Sequence, residues 1–297
     1  MKHRSLMEHP SPATSTRHGT RTLIATCALL GLAGCGQQAD VAARITELQQ
    51  QVQQLQHQVQ NLNDIEAIQR LERAYGYYVD KNLWTQVVAL FADDATVELD
   101  ERGVFVGKAG VQRMFLTEFG GGQDGLKHGT LFNHIQVEGI VDVAPDGRSA
   151  KARFHAIIQV SGFGGEQGFW SDGVYENQFI KQDGVWKFHT MRFWPTYYAP
   201  YQKGWSSNAQ NCINGDGSGL SRGADRPSTD KAGVFPDVFY PPFHYPNPVT
   251  GQAVDVSALN VQATARTTWT RCAGAGSAAT SPRPSHKAGQ DGSSGSR

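Results

Sequence analysis

The stretch DIEAIQRLERAYGYYVDKNLWTQVVALFADDATVEL, residues 64–99, reads as a helix, a short break, a second helix and entry into a strand. Apolar residues recur at Ile65, Ile68, Leu71, Tyr75, Tyr78 and Val79, the spacing of one helical face. A second set, Leu83, Trp84, Val87, Val88 and Phe91, follows at once. Two apolar faces so close in sequence need a partner layer, which the following strands supply. Asp80 ends the first helix just outside its apolar arc, and Gly76, one turn earlier, leaves room above it.

Working outward, the C-terminal side is β-rich. Ala95 to Leu99 is a strand, Glu101-Arg102-Gly103 a turn and Val104-Phe105-Val106 a short return. A third helix carries Val111, Met114, Phe115 and Phe119 and stops at Gly120-Gly121-Gly122. Thr130 to Val143 is a long strand with a bend at Gly139. Ala150 to Ser161 alternates apolar and polar, and Phe169 to Lys181 leads through the turn Gln182-Asp183-Gly184 into a last strand, Val185 to Trp194. The expected fold is α+β: a cone-shaped, strongly curved antiparallel sheet with three N-terminal helices enclosing one pocket. Tyr197 to Thr250 has little periodicity but many aromatic residues and prolines, so it reads as an ordered wrap over the domain. Ala273 to Arg297 is small and polar, the composition of a disordered tail.

On the N-terminal side, Val41, Ile45, Leu48, Val52, Leu55, Val59 and Leu62 alternate by four and three residues. With Ile45, Val52 and Val59 at a and the others at d, the pattern favours a parallel two-stranded coil, and hence a homo-oligomer, dimer or trimer. The alternative is a single stalk helix packing on its own domain. Upstream, Arg17, His18 and Arg21 precede the apolar run Leu23–Leu32, too short for a stable span of about 20 residues but suited to a signal h-region.

The run ends in Leu32-Ala33-Gly34-Cys35, which resembles a bacterial lipobox. The resemblance implies cleavage before Cys35, acylation of its thiol and attachment to a membrane without a spanning helix. Gly36 rather than Asp follows the cysteine, which implies the periplasmic side of the outer membrane. Cys212 and Cys272 would remain in an oxidising compartment, where a disulfide between them is possible but not readable from spacing. Segment boundaries follow: signal peptide 1–34, stalk 35–63, folded domain 64–200, wrap 201–272 and tail 273–297.

The 297 residues carry 27 basic and 27 acidic side chains, a formal net charge of zero, and no dense basic run, which argues against nucleic acid as a partner. No phosphate loop, zinc-ligand spacing or nucleophile elbow occurs, so no cofactor is expected.

Several local patterns, in this order, resemble the SnoaL-like group of the nuclear-transport-factor-2-like superfamily. They are Tyr78-Val79-Asp80 with Trp84 four residues on, Leu90 to Ala95, Gly107-Lys108, His134 in its strand, and Tyr175 followed by Asp183 to Phe188. The segment Pro241 to Gly251 also looks like one found after the core in some members. The superfamily holds enzymes, binding modules and assembly domains, so the fold alone gives no function.

In the scytalone dehydratases and dehydrochlorinases of the group, a carboxylate at the end of helix one orients a histidine from the sheet. The resemblance puts Asp80 and His134 in those roles. An imidazole whose other nitrogen donates to a carboxylate is a competent base near neutrality, with an unperturbed pKa of ~6.5. Such a base suits cofactor-free lyase, dehydratase or isomerase chemistry on a small apolar substrate. Candidate substrate-binding residues are Tyr78, Trp84, Phe132, Asp172, Tyr175 and Arg192. This chain departs from the group in lacking a second pocket histidine near Ser161, and in having Val79 where a tyrosine stands beside the helix-one acid. A non-catalytic ligand-binding or structural envelope lipoprotein is the competing reading.

Overall fold

The structure, a computed structural model, describes residues 19–161, 168–204, 223–229, 234–235 and 238–260. It divides into two compact units, residues 1–60 and 61–297. Helix α1 (Gly19–Asp80) contributes to both. In the first unit the apolar heptad residues Val41 to Val59 lie exposed on it. Among the described residues no helix is long and apolar enough to cross a membrane.

In the second unit α1 ends at Asp80, where Asn82 takes a left-handed conformation (φ 52°) that breaks the helix before α2 (Trp84–Ala89). Strand β1 (Phe91–Leu99) begins earlier than the expected Ala95: Phe91 to Asp94 lie inside it, with a register irregularity between Phe91 and Thr96. Then come β2 (Val104–Val106), α3 (Gly107–Gln112) with a π-helical turn Arg113–Phe119, and four long strands, β3 (Leu131–Val143), β4 (Ser149–Ser161), β5 (Phe169–Gln182) and β6 (Val185–Pro200).

The six strands form one curved, unclosed sheet in the order β2-β1-β6-β5-β4-β3. All pairs are antiparallel except β1 with β6. Asp183 and Gly184 both have positive φ, as a two-residue hairpin between β5 and β6 requires. The bend at Gly139 is a bulge between Val137 and Ile140; a Cβ at Gly139 would sit 2.3 Å from the Phe154 ring.

One sheet face carries the core. Ala152, Phe154, Ala156, Ile158 and Val160 alternate inward on β4, and Tyr175 and Phe179 do so on β5. Ile68, Tyr75 and Val79 of α1, Trp84 and Val87 of α2, and Met114 and Phe115 pack on them. Burial of aromatic side chains on this scale is the main stabilising term of the domain.

The described parts of the C-terminal segment attach at the β2 edge, where Ala224 packs against the core, and on the other sheet face. Val104 bridges to Arg226 beside the β2 edge, and Ser228 and Thr229 donate to Glu98. Residues 241–245 lie on the other sheet face, pinned by Arg153. Its Nη2 donates to the carbonyls of Pro241 and Pro242, and its guanidinium lies 3.8 Å from the Phe243 ring centre. Glu176 holds both Arg153 and His244, and His244 lies 3.1 Å from Asp142.

Candidate functional site

The site lies where the end of α1 meets the edge strand β3. Asp80 Oδ1 accepts a hydrogen bond from the main-chain N–H of His134 at 2.5 Å. The His134 carbonyl faces Gly76: a Cβ there would come within 2.8 Å of it. The end of α1 thus bonds the N–H of His134 through Asp80 and passes close to its carbonyl at Gly76. An edge strand leaves such groups without a strand partner, and Asp80 supplies one. The missing side chain at Gly76 permits the approach. The sequence-based expectation had the carboxylate meet the imidazole; the contact seen here runs through the backbone.

The imidazole points inward and is buried. Its Nε2 lies 3.0 Å from the Tyr175 hydroxyl, which lies 3.3 Å from the Tyr75 hydroxyl. Tyr75 packs edge-on against both rings. Nδ1 of His134 has no hydrogen-bond partner among the described residues. Burial pushes the imidazole down from the usual histidine range to about 3, so the ring is neutral at pH 7. This replaces the near-neutral basicity expected from the sequence, because no charge partner offsets the desolvation. The same burial pushes both tyrosine hydroxyls up, so both stay protonated.

A second polar rung sits one helical turn below Tyr75. Glu72 is fully buried and accepts a hydrogen bond from Asn177 Nδ2 through Oε1. Glu72 and Tyr75 are three apart on the helix; Asn177 and Tyr175 are two apart on the strand. The rungs 72–177 and 75–175 therefore join the same helix face to the same sheet face. Desolvation raises the Glu72 carboxyl to about 8. Sequence reading missed Glu72, Tyr75 and Asn177 as site residues. The available signal was an acidic residue at the 3-4 spacing shared by Ile65, Ile68, Tyr75 and Val79.

Of the other candidates, Trp84 is buried wall, stacked with Phe115, and Phe132 packs edge-on to Trp84 and near the His134 ring. Tyr78 is half-buried against the core. Two candidates point away. Asp172 alternates with Tyr175, so it projects from the opposite sheet face, where it meets His155 Nε2 at 2.6 Å. Arg192 also points away from the core and pairs with Glu98 at 3.4 Å while donating to Thr229 at 2.8 Å. The side chain of Cys35, together with Cys212, Cys272 and residues 273–297, lies outside the described part. No group of three or more metal-ligating side chains occurs among the described residues.

Comparison with known proteins matches one family model to part of the chain. The family model described as a SnoaL-like domain matches residues 60–192. Among solved structures, similar ones include a candidate scytalone dehydratase from Novosphingobium aromaticivorans DSM 12444, 21% identical, covering 48% of this chain and 91% of that one, with a TM-score of 0.42. Another is the hexachlorocyclohexane dehydrochlorinase LinA-type3 from Novosphingobium barchaimii LL02, 20% identical, covering 48% and 93%, with a TM-score of 0.42. A third is an NTF2-like protein with a cystatin-like fold from Novosphingobium aromaticivorans, 18% identical, covering 47% and 86%, with a TM-score of 0.37. No curated protein matches the chain. Residues 60–192 of this chain form a SnoaL-like domain.

Proposed function

We propose that this domain catalyses cofactor-free proton transfer on a small apolar substrate, as a lyase, dehydratase or isomerase, with His134 as the base. The observation that carries the reading is a buried, neutral imidazole whose Nε2 is tied to Tyr175 while Nδ1 has no partner among the described residues. With Nε2–H donating to the Tyr175 oxygen and Tyr175 donating to Tyr75, Nδ1 presents its lone pair. It takes a proton from substrate carbon as the electron pair moves into the substrate. The imidazolium then forms beside the anion it creates, and the hydroxyl of Tyr175 stabilises the charged ring. Asp80 acts as a positioning residue, fixing the His134 backbone.

Deuterium exchange into a panel of small ketones, halides and alcohols, read by mass spectrometry, tests this whatever product the reaction releases. The full chain should exchange a carbon-bound proton, and His134→Ala should not while keeping its circular dichroism spectrum. Absence of exchange across the panel in the wild-type chain refutes it.

A second reading, ligand binding without chemistry, is favoured by one observation: the ring meets a tyrosine rather than a carboxylate and is held far below neutrality. Saturable binding without exchange identifies it.

In the same reading the domain sits on the periplasmic side of the outer membrane through acylated Cys35, with residues 35–63 as a coiled-coil stalk joining copies. Supporting it are seven apolar side chains in 4-3 spacing, Val41 to Leu62, each 47–64% exposed. Such a stripe is stabilised by a second helix.

A further inference from the structure

Residues 241–245 are held on the sheet face away from the core partly by a side chain whose charge changes near neutrality. The His244 side chain is nearly all buried there, and each ring nitrogen meets a carboxylate of a different strand. Nδ1 lies 2.7 Å from Oε2 of Glu176 on β5. Nε2 makes no hydrogen bond among the described residues but lies 3.1 Å from Oδ2 of Asp142 on β3. A carboxylate only accepts, and a neutral imidazole carries one N–H and one lone pair. Either neutral tautomer therefore turns a lone pair on a carboxylate, whereas an imidazolium presents an N–H to both.

The charges around the ring favour the same form. Arg153 on β4 pairs with Oε1 of Glu176 and so balances that carboxylate. Asp142 has His244 as its one ion-pair partner among the described residues. Lys151, opposite Asp142 in the β3–β4 register, is exposed to solvent. Tyr245, next to His244 in the chain, meets the imidazole in a T-shaped contact and adds no charge at neutral pH. The other anchors of the segment, Arg153 on the carbonyls of Pro241 and Pro242, Phe243 on the guanidinium and Phe239 on Trp194, do not titrate near neutrality.

We propose that His244 is a proton-operated latch for residues 238–260: the charged ring clamps the segment to β3 and β5, and loss of its proton loosens it. Because the docked geometry suits the imidazolium, docking strengthens as pH falls and weakens as pH rises across pH 5 to 8, the range in which histidine changes charge. The latch stands whether or not the interior at His134 is catalytic.

Limited proteolysis of the full chain by proteinase K tests it, with cuts within residues 238–260 read by mass spectrometry. Rates are normalised at each pH to those of a free peptide of the same sequence. When opening is fast relative to cutting, the rate follows the population of the open segment. Wild type should be cut roughly tenfold faster at pH 8 than at pH 5, the worth of one hydrogen bond to a charged group. His244→Asn should be cut at one fast rate at both values. Asp142→Asn separates the latch from a merely structural contact: its amide can donate to the lone pair of a neutral ring, so the variant should be better protected than wild type at pH 8. His155→Asn is the control, since His155 titrates on the same sheet face, 2.6 Å from Asp172 and 3.6 Å from Glu138. It should keep the wild-type dependence. Equal normalised rates at pH 5 and pH 8 in wild type, a dependence that survives in His244→Asn or vanishes in His155→Asn, or no gain of protection in Asp142→Asn at pH 8 overturns it.

Discussion

Glu72 and His134 should give the domain a stability maximum bounded by two opposed titrations. Burial raises the Glu72 carboxyl from 4.5 to about 8, so the folded state binds this proton more tightly than the unfolded chain. Its contribution is full below pH 4.5 and is lost progressively as pH rises toward 8. Burial lowers His134 from 6.5 to about 3, so here the unfolded chain binds the proton more tightly. That contribution is full above pH 6.5 and is lost as pH falls toward 3. Between pH 4.5 and 6.5 the two slopes cancel. Each unopposed limb is worth roughly 2 kcal/mol over 1.5 pH units, at about 1.4 kcal/mol per unit. Urea melts at half-unit intervals from pH 3 to 8, followed by the fluorescence of the buried tryptophans, measure both limbs. Subtracting the Glu72→Gln curve isolates the alkaline limb, and subtracting the His134→Asn curve isolates the acid limb. An alkaline slope above pH 6.5 that is identical in wild type and Glu72→Gln would refute the assignment of a neutral buried carboxyl.

Tyr175→Phe removes the hydroxyl shared by His134 and Tyr75. It should destabilise by about 1–3 kcal/mol in thermal melts and abolish proton exchange, since Nε2 is left without its partner. Gly76→Ala gains up to about 1 kcal/mol of helix propensity, yet its Cβ would press on a strand carbonyl that cannot yield. Net destabilisation should result, together with an altered amide signal for His134 by NMR. Arg153→Ala frees two proline carbonyls and the Phe243 face and leaves Glu176 short of a cation. Proteolysis within residues 238–260 should accelerate severalfold while the core melt changes little. Pairing Leu48→Asp with Leu55→Asp puts charge on the exposed heptad stripe. The sedimenting species should fall to a monomer; an unchanged oligomer would remove the stalk from assembly.

The sheet was legible because its strands are long and mostly keep a period of two, and because Asp183-Gly184 announces its hairpin. Where that period slips, face assignments failed. On β6, Trp186 and Phe188 face inward, but after the register shift at Gln178/Phe179 the inward residues are Met191 and Phe193. A constant phase from Trp186 would put Arg192 inside; the shift puts it outside with Glu98. For Asp172 the warning was present in the sequence. It stands three residues from Tyr175, and two residues an odd number apart on a regular strand cannot share a face. The meeting of Asp80 with the His134 backbone had no such signal, because main-chain donors are the same at every position.

Glu72 is the more instructive omission. A leucine at that position would complete the apolar stripe of Ile65, Ile68, Tyr75 and Val79, and desolvating a carboxyl there works against the fold at pH 7. Were Glu72 merely tolerated, its neighbours would have no reason to meet it. Asn177 does so, on the inward face of β5, with its amide turned by the Arg192 N–H so that Nδ2 reaches Oε1. Two polar residues from distant parts of the chain thus meet inside an aromatic core, one rung from the Tyr75–Tyr175–His134 chain. A pair of apolar residues of similar volume would have packed there at lower cost, so the rung sets how the α1 face registers on β5 rather than adding to stability.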